Sequence, residues 1–495
     1  MISRYFRLAE HGTSVRTEML AGATTFLTMA YIILVNPAIL GEAGMPVAAV
    51  AAATCLAAGI GSILMGVIAN YPIALAPGMG LNAYFTYTVV LGMGLPWQTA
   101  LGAVFISGAA FLLMTLAGLR QLIVAAIPRP LYAAIAAGIG LFIAFIGLKS
   151  AGLVVANPAT TVALGDLTSP SALVAVLGLA LIALLQVWGV RAAILIGIVA
   201  ASALGWMLGL VQVRPAPFDP AALTATLFQA DVPAALGLGP NGQGLSLALV
   251  EILFVFLFVD LFDNLGTLVA VSQRARLIRP DGTIPRLKRI LTADSLSAMA
   301  GALAGTSTTV SYIESASGVA AGGRTGLTAV TTGVLFLAAL AFTPFAQMIP
   351  AAATAPALIL VGALMMAPLA QADWTDPRVA IPAFLTLIMI PLTFSIANGL
   401  AMGIIAYAAL KLVSPRVRRD AEADAAGAAE GANVEAAPGT GAGTGAEAGS
   451  RTPAEADAAA LAARPRRIHG LTLGDAFLYL LAALCLARFI WLGGE

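Results

Sequence analysis

Predominantly apolar runs near twenty residues long recur along the chain, and an α-helix of about that length crosses the hydrocarbon core of a bilayer. The runs fall near 19–40, 46–69, 98–118, 131–148, 171–188, 191–211, 246–271, 290–304, 326–348, 353–370, 379–394 and 398–413. Two further segments, 78–92 and 311–323, are shorter and rich in Gly, Ser and Thr; with them the count reaches about fourteen crossings. The pattern predicts an all-α polytopic protein whose first partner is the lipid bilayer. Composition agrees: 60 % of the residues are hydrophobic and 10 % charged, where soluble domains carry about 25 % charge. That excludes a disordered chain and an ordinary soluble enzyme. A net charge of +1 offers no field to a nucleic acid. Cys55, Cys485, His11 and His469 are scattered, so no metal site is expected. No nucleophile–base set suggests an enzyme.

Basic residues orient the spans. With the N-terminus in the cytoplasm, loops after even-numbered spans carry Arg120, Arg129, Arg191, Arg324 and Arg378. The loop after the eighth adds Arg274, Arg276, Arg279, Arg286, Lys288 and Arg289, whereas odd-numbered loops hold little beyond Lys149 and Arg214. The first run is too long for a signal-peptide core and reads as the first membrane helix. The expected organisation is a cytoplasmic N-terminus at 1–18, a seven-span repeat at 19–211 and an extracellular or periplasmic loop at 212–245. A second seven-span repeat at 246–413 follows, then a disordered cytoplasmic linker at 414–468 and a hydrophobic C-terminal segment at 469–495. The linker is Ala, Gly, Glu and Pro, too poor in bulky apolar residues to offset the entropy of ordering.

The two short segments stand at matching places in the two halves. One carries Pro72, Pro77, Gly78 and Gly80, the other the run Thr306-Ser307-Thr308-Thr309. Interrupted apolar segments in corresponding positions point to a transporter's binding site. Broken backbone exposes N–H and C=O groups that hydrocarbon does not tolerate, so it must line a protein or water-filled cavity.

Four carboxylates lie within apolar runs: Asp260, Asp263, Asp294 and Glu314. A charge at mid-span costs about 2.5–3.5 kcal/mol on insertion scales, which makes each a functional candidate. Asp260 and Asp263 are one helical turn apart on a shared face. Glu314 sits on the second broken segment, and Asn82 is read as its equivalent on the first. Asp294 reads as a helix N-cap or a partner of Arg289, Asp263 as a ligand of the solute or a cap or brace for a neighbouring helix, and Asn82 has a bracing alternative. Two carboxylates and an amide suit a flat, neutral heterocycle with N–H and C=O edges, and suit an anion poorly. Burial favours the neutral acid, so a proton can travel with the solute.

Residues 21–40 (AGATTFLTMAYIILVNPAIL), 76–90 (APGMGLNAYFTYTVV), 257–271 (LFVDLFDNLGTLVAV), 305–330 and 393–403 (TFSIANGLAMG) resemble the AzgA-like branch of the nucleobase–cation symporter-2 family. The resemblance covers about 1–413. It implies two inverted seven-helix repeats arranged as a core and a gate domain, with spans three and ten each containing a short strand. It further implies uptake of adenine, guanine and hypoxanthine with protons, an elevator-type motion, and a homodimer joined through the gate domains. Binding positions carry over to Gly80, Asn82, Asp260 and Glu314, with Asp263 in support and backbone at Gly80 and Ile313 closing on the ring. The uracil branch places a histidine near Asn264, which this chain lacks. The expected protein is therefore a proton-coupled purine permease of the cytoplasmic membrane, with no cofactor and with Na+ still open as the coupling ion. Its rivals are a xanthine, urate or uracil permease, and an anion transporter or channel on the same architecture, which Asp260 and Glu314 would oppose.

Overall fold

The computed structural model describes residues 2–118, 129–210, 224–238, 247–275, 277–279 and 284–413, with short pieces at 467–468, 471–472, 478–483 and 485–486. Most of 414–495, and the loop residues Arg120, Arg214 and Arg276, lie outside the described residues. Helices dominate. Among the described residues eight are long and apolar enough to cross a membrane, and three shorter apolar helices accompany them. The chain is a multi-pass membrane protein.

The first apolar run is two helices, α1 (Val15–Met29) and α2 (Ile32–Glu42), and α3 (Val47–Leu64) follows. Strand β1 (Leu75–Pro77) leads into α4 (Met79–Ala83), which continues as a π-helix over Tyr84–Gly92. Next come α5 (Trp97–Ala117), α6 (Arg129–Ser150), the hairpin β2 (Val154–Asn157) and β3 (Thr161–Leu164), α7 (Pro170–Val187) and α8 (Ala193–Met207). The second half holds α9 (Leu247–Arg274), α10 (Leu287–Ala304), β4 (Thr309–Ser311), α11 (Ser315–Ala320), α12 (Gly326–Ala338), α13 (Ala351–Leu364), α14 (Pro377–Thr393) and α15 (Ile396–Val413).

Local chemistry sets these boundaries. Ser14, Ser169, Thr325 and Asp376 each accept a backbone N–H from the first turn of the helix they precede. Such N-caps satisfy donors that have no intrahelical partner. Pro170 and Pro377 occupy first helical positions, where a missing N–H costs nothing. Gly118 and Gly305, at φ +74° and +96°, close α5 and α10 in the left-handed conformation.

The helices pack as two groups. One contains α1–α5 with α9–α12, the other α6–α8 with α13–α15. Contacts recur pairwise between the halves: α3 on α12 matches α10 on α5, and α7 on α8 matches α14 on α15. The same helix pairings thus recur in the two halves of the chain. Close approach uses glycine. A Cβ on Gly333 would lie 2.6 Å from the carbonyl oxygen of Gly59, and one on Gly140 would lie 2.6 Å from that of Gly362. With no side chain between them, α3 and α12 pack backbone to backbone in the first group, as α6 and α13 do in the second.

Several expectations change. The first span begins at Val15 rather than near 19, because Arg16 and Glu18 mask its start in a hydropathy reading. It also breaks after Met29 with neither Gly nor Pro. Asp294 is not an N-cap: α10 starts at Leu287 behind Arg286, so Asp294 lies two turns in and fully buried. The described part of the 212–245 loop is folded onto the body, with Asp231 N donating to Gln98 O at 2.9 Å and Phe228 N to Leu303 O at 2.7 Å. Leu478 and Leu481 of the C-terminal segment pack into the main hydrophobic cluster.

Candidate functional site

The two broken spans meet strand to strand. β1 and β4 are antiparallel, with Ala76 opposite Val310, Leu75 opposite Ser311 and Pro77 opposite Thr309. Gly78 N donates to Thr308 O at 2.9 Å and Tyr312 N to Ala74 O at 3.0 Å, extending the ladder at both ends. Hydroxyls from flanking helices serve the outer edges. Ser62 of α3 accepts from Leu75 N at 3.0 Å and donates to Leu75 O at 3.1 Å. In the second half the Ser297 hydroxyl of α10 bonds the Thr309 hydroxyl at 2.7 Å, tying β4 to α10 side chain to side chain. These partners let a non-helical backbone exist at membrane depth.

Past each strand the chain turns back into helix. Gly80 is the third residue beyond β1 and Glu314 the third beyond β4, so Glu314 matches Gly80 by offset rather than Asn82. Gly80 lies in the first turn of α4, where N–H groups lack intrahelical acceptors. A Cβ there would come within 2.5 Å of Ile139 on α6, so this position is also a close contact between the two helix groups.

Helix α9 packs against β4, α11 and α4, which carries its carboxylates to the crossing. Asp260 is 2 % exposed. Asp263 and Glu314 keep part of their surface accessible and interact electrostatically. Tyr312 feels both acids, and its hydroxyl donates to Pro77 O at 2.6 Å. Ile313 is exposed beside them. Asp263 and Glu314 are thus brought together at one place.

Asn82 lies in a fully buried polar chain. Its amide donates to Asn36 Oδ1 at 2.5 Å and its carbonyl accepts from Ser307. Asn36 in turn donates to Thr54 at 2.7 Å and Thr306 at 2.8 Å. The chain ties α2, α3, α4 and the Thr306–Thr309 segment together, which is bracing geometry.

Two residues here escape the sequence reading. Tyr31, at the break in the first span, donates its hydroxyl to Glu314 Oε1 at 2.6 Å. Asn264, one turn beyond Asp260, is fully buried with neither amide atom partnered among the described residues. Its spacing from Asp260 was the available signal; nothing local marks Tyr31. An apolar groove of about 490 Å³ lies elsewhere, between α1, α2, α8 and α12, and none of these acids lines it.

A multi-pass protein with two interrupted helices crossing strand to strand, and acids gathered beside the crossing, has the build of a membrane transporter. Its sequence matches the permease family over residues 16–402, and the chain belongs to that family, the nucleobase–cation symporter-2 family its motifs resemble. It is 47 % identical to the adenine permease AdeP of Escherichia coli (strain K12), over 84 % of this chain and 92 % of that one. The guanine/hypoxanthine permease PbuG of Bacillus subtilis (strain 168) is also 47 % identical, over 81 % and 92 %. The fold resembles the transmembrane domain of the cyanobacterial bicarbonate transporter BicA, with a TM-score of 0.57 at 16 % identity, covering 78 % of this chain and 97 % of that one.

Proposed function

We propose that the protein imports purine nucleobases of the adenine, guanine and hypoxanthine class across the cytoplasmic membrane. The observation that carries this reading is near-half identity over most of the chain to permeases named for those bases, with Asp263 and Glu314 brought together beside the crossing of the broken spans. Asp260 and Glu314 accept from the base's N–H edges, and Asn264 offers both a donor and an acceptor to its polar edge. Backbone N–H groups at Gly80 and Ile313 close around the ring. Asp263 supports the site as a second carboxylate, and Asn82 acts through Asn36 and Ser307 to hold the crossing in register.

Fourteen crossings with a cytoplasmic N-terminus, in two inverted repeats, complete the reading. Coupling is to protons, because burial in a low dielectric favours the neutral acid, so a proton taken up with the solute can be carried and then released on the cytoplasmic side. The α1–α5/α9–α12 group slides as a body against the α6–α8/α13–α15 group, through which two copies pair. Uptake of labelled hypoxanthine and adenine, in cells lacking their own purine transport, tests the proposal across external pH and with a protonophore. Expected is saturable uptake that purines compete for and sulfate does not, declining as external pH rises and collapsing with the protonophore. Transport of neither base overturns the substrate; indifference to pH and protonophore overturns the coupling.

A further inference from the structure

The first span carries no carboxylate at the crossing and contributed nothing to the site as read from sequence. Yet it breaks between Met29 and Ile32, and at that break stands Tyr31, 1 % exposed, with its hydroxyl 2.6 Å from Glu314 Oε1. The bond joins residues 283 positions apart. Two spans therefore meet at one carboxylate: the first through Tyr31 and the tenth through Glu314 itself.

The groups facing Glu314 are few. Asp263 on α9 has the same charge and opposes it. Tyr312 neighbours it in sequence, but the Tyr312 hydroxyl is committed to Pro77 O. Tyr31 is the side-chain donor in this set, beside the backbone N–H of Glu314 itself. A phenol both gives and takes a hydrogen bond, so one hydroxyl serves a carboxylate by donating and a carboxylic acid by accepting.

We infer that Tyr31 is a positioning residue for the purine: it holds one oxygen of Glu314 and so fixes the plane in which the other meets the N–H edge of the base. Its hydroxyl keeps Glu314 satisfied in either charge state while Asp263 lies nearby. This rests on the purine reading and adds a residue to it. Substrate affinity then depends on a hydroxyl that itself acts only through a carboxylate.

The test is equilibrium binding of hypoxanthine to the purified full-length protein, comparing Tyr31→Phe with wild type. The variant keeps the ring and removes the hydroxyl. Affinity is expected to fall at least about tenfold, near the lower end of what a hydrogen bond to a charged group contributes. Thr28→Val, whose hydroxyl bonds only backbone of its own helix, should bind as wild type does. In a Glu314→Gln background the effect of Tyr31→Phe should shrink to about twofold or less, because the partner has changed. If Glu314→Gln binds no purine, the infrared carboxyl bands that it removes are followed instead, and Tyr31→Phe should shift them. Equal affinity of Tyr31→Phe and wild type, an equal loss in both backgrounds, or unmoved carboxyl bands each overturn the inference. Wild type that binds no purine overturns the function itself, a separate result.

Discussion

Thr328 donates its hydroxyl to the carboxylate of Glu18 at 2.6 Å, across 310 residues of chain. The same carboxylate accepts the backbone N–H groups of Arg324 at 2.8 Å, Thr325 at 3.2 Å and Thr328 at 3.3 Å. Glu18 is fully buried, and all its partners are donors at the start of α12, where the helix dipole also favours a negative charge. Glu18→Gln turns one acceptor into an amide N–H₂ facing other donors. A loss of about 2–3 kcal/mol is expected, read as a lower unfolding temperature in detergent. An unchanged melting curve would show that α12 does not need this carboxylate.

Asn264 separates stability from function. Its buried amide has no partner among the described residues, so replacing it with an apolar side chain of similar size removes an unmet polar group. Asn264→Leu is expected to be neutral or to stabilise by about 1 kcal/mol, while purine uptake falls at least tenfold. A stable variant that transports normally takes Asn264 out of the site.

Backbone contact between α6 and α13 leaves no room at Gly140. Gly140→Val forces the helices apart, and overpacking of this kind costs about 1–3 kcal/mol. Gly266, inside α9 with nothing near its Cβ position, provides the control: Gly266→Ala should melt at or above wild type, since Ala is favoured over Gly inside a helix by about 0.5–1 kcal/mol. The two unfolding curves side by side decide it.

Asp376 precedes α14 in an exposed loop. The Arg378 guanidinium, with the Arg378 backbone N–H, holds its carboxyl below the usual carboxylate value. A depressed folded value stabilises the protein above the unfolded pKa of about 3.9, and that contribution disappears as pH falls through the folded value. Asp376→Asn should therefore melt earlier than wild type at pH 7, with the gap closing under acid. A gap that stays constant down to low pH would assign the effect to capping alone.

Apolar length, the two interruptions and the isolated acids were legible because each is a local property. Pro77 and Gly78 announce a break wherever they stand, and Asp260 inside FLFVDLFDNLG is out of place on any hydropathy scale. What stayed hidden depends on distant partners. Tyr31 and Asn36 lie in an apolar run where a tyrosine or an amide is unremarkable until Glu314 or Asn82 is folded against it. Asn82 drew attention as a polar residue on a broken span, but its amide is occupied by Asn36 and Ser307, a choice that only the packing of α2 on α4 makes. Glu18 sits close to Arg16 near a helix start, where nothing local distinguishes it from an ordinary interfacial charge. Its burial comes from α12, encoded three hundred residues downstream.

The three-residue ladder between Leu75–Pro77 and Thr309–Ser311 sets a timetable for the ribosome. Until Ser311 has been made and inserted, Ala76 waits in the bilayer without the backbone that will complete its pairing, a state lipid tolerates poorly. Separately synthesised halves should be short-lived and become stable only when both are present in one membrane.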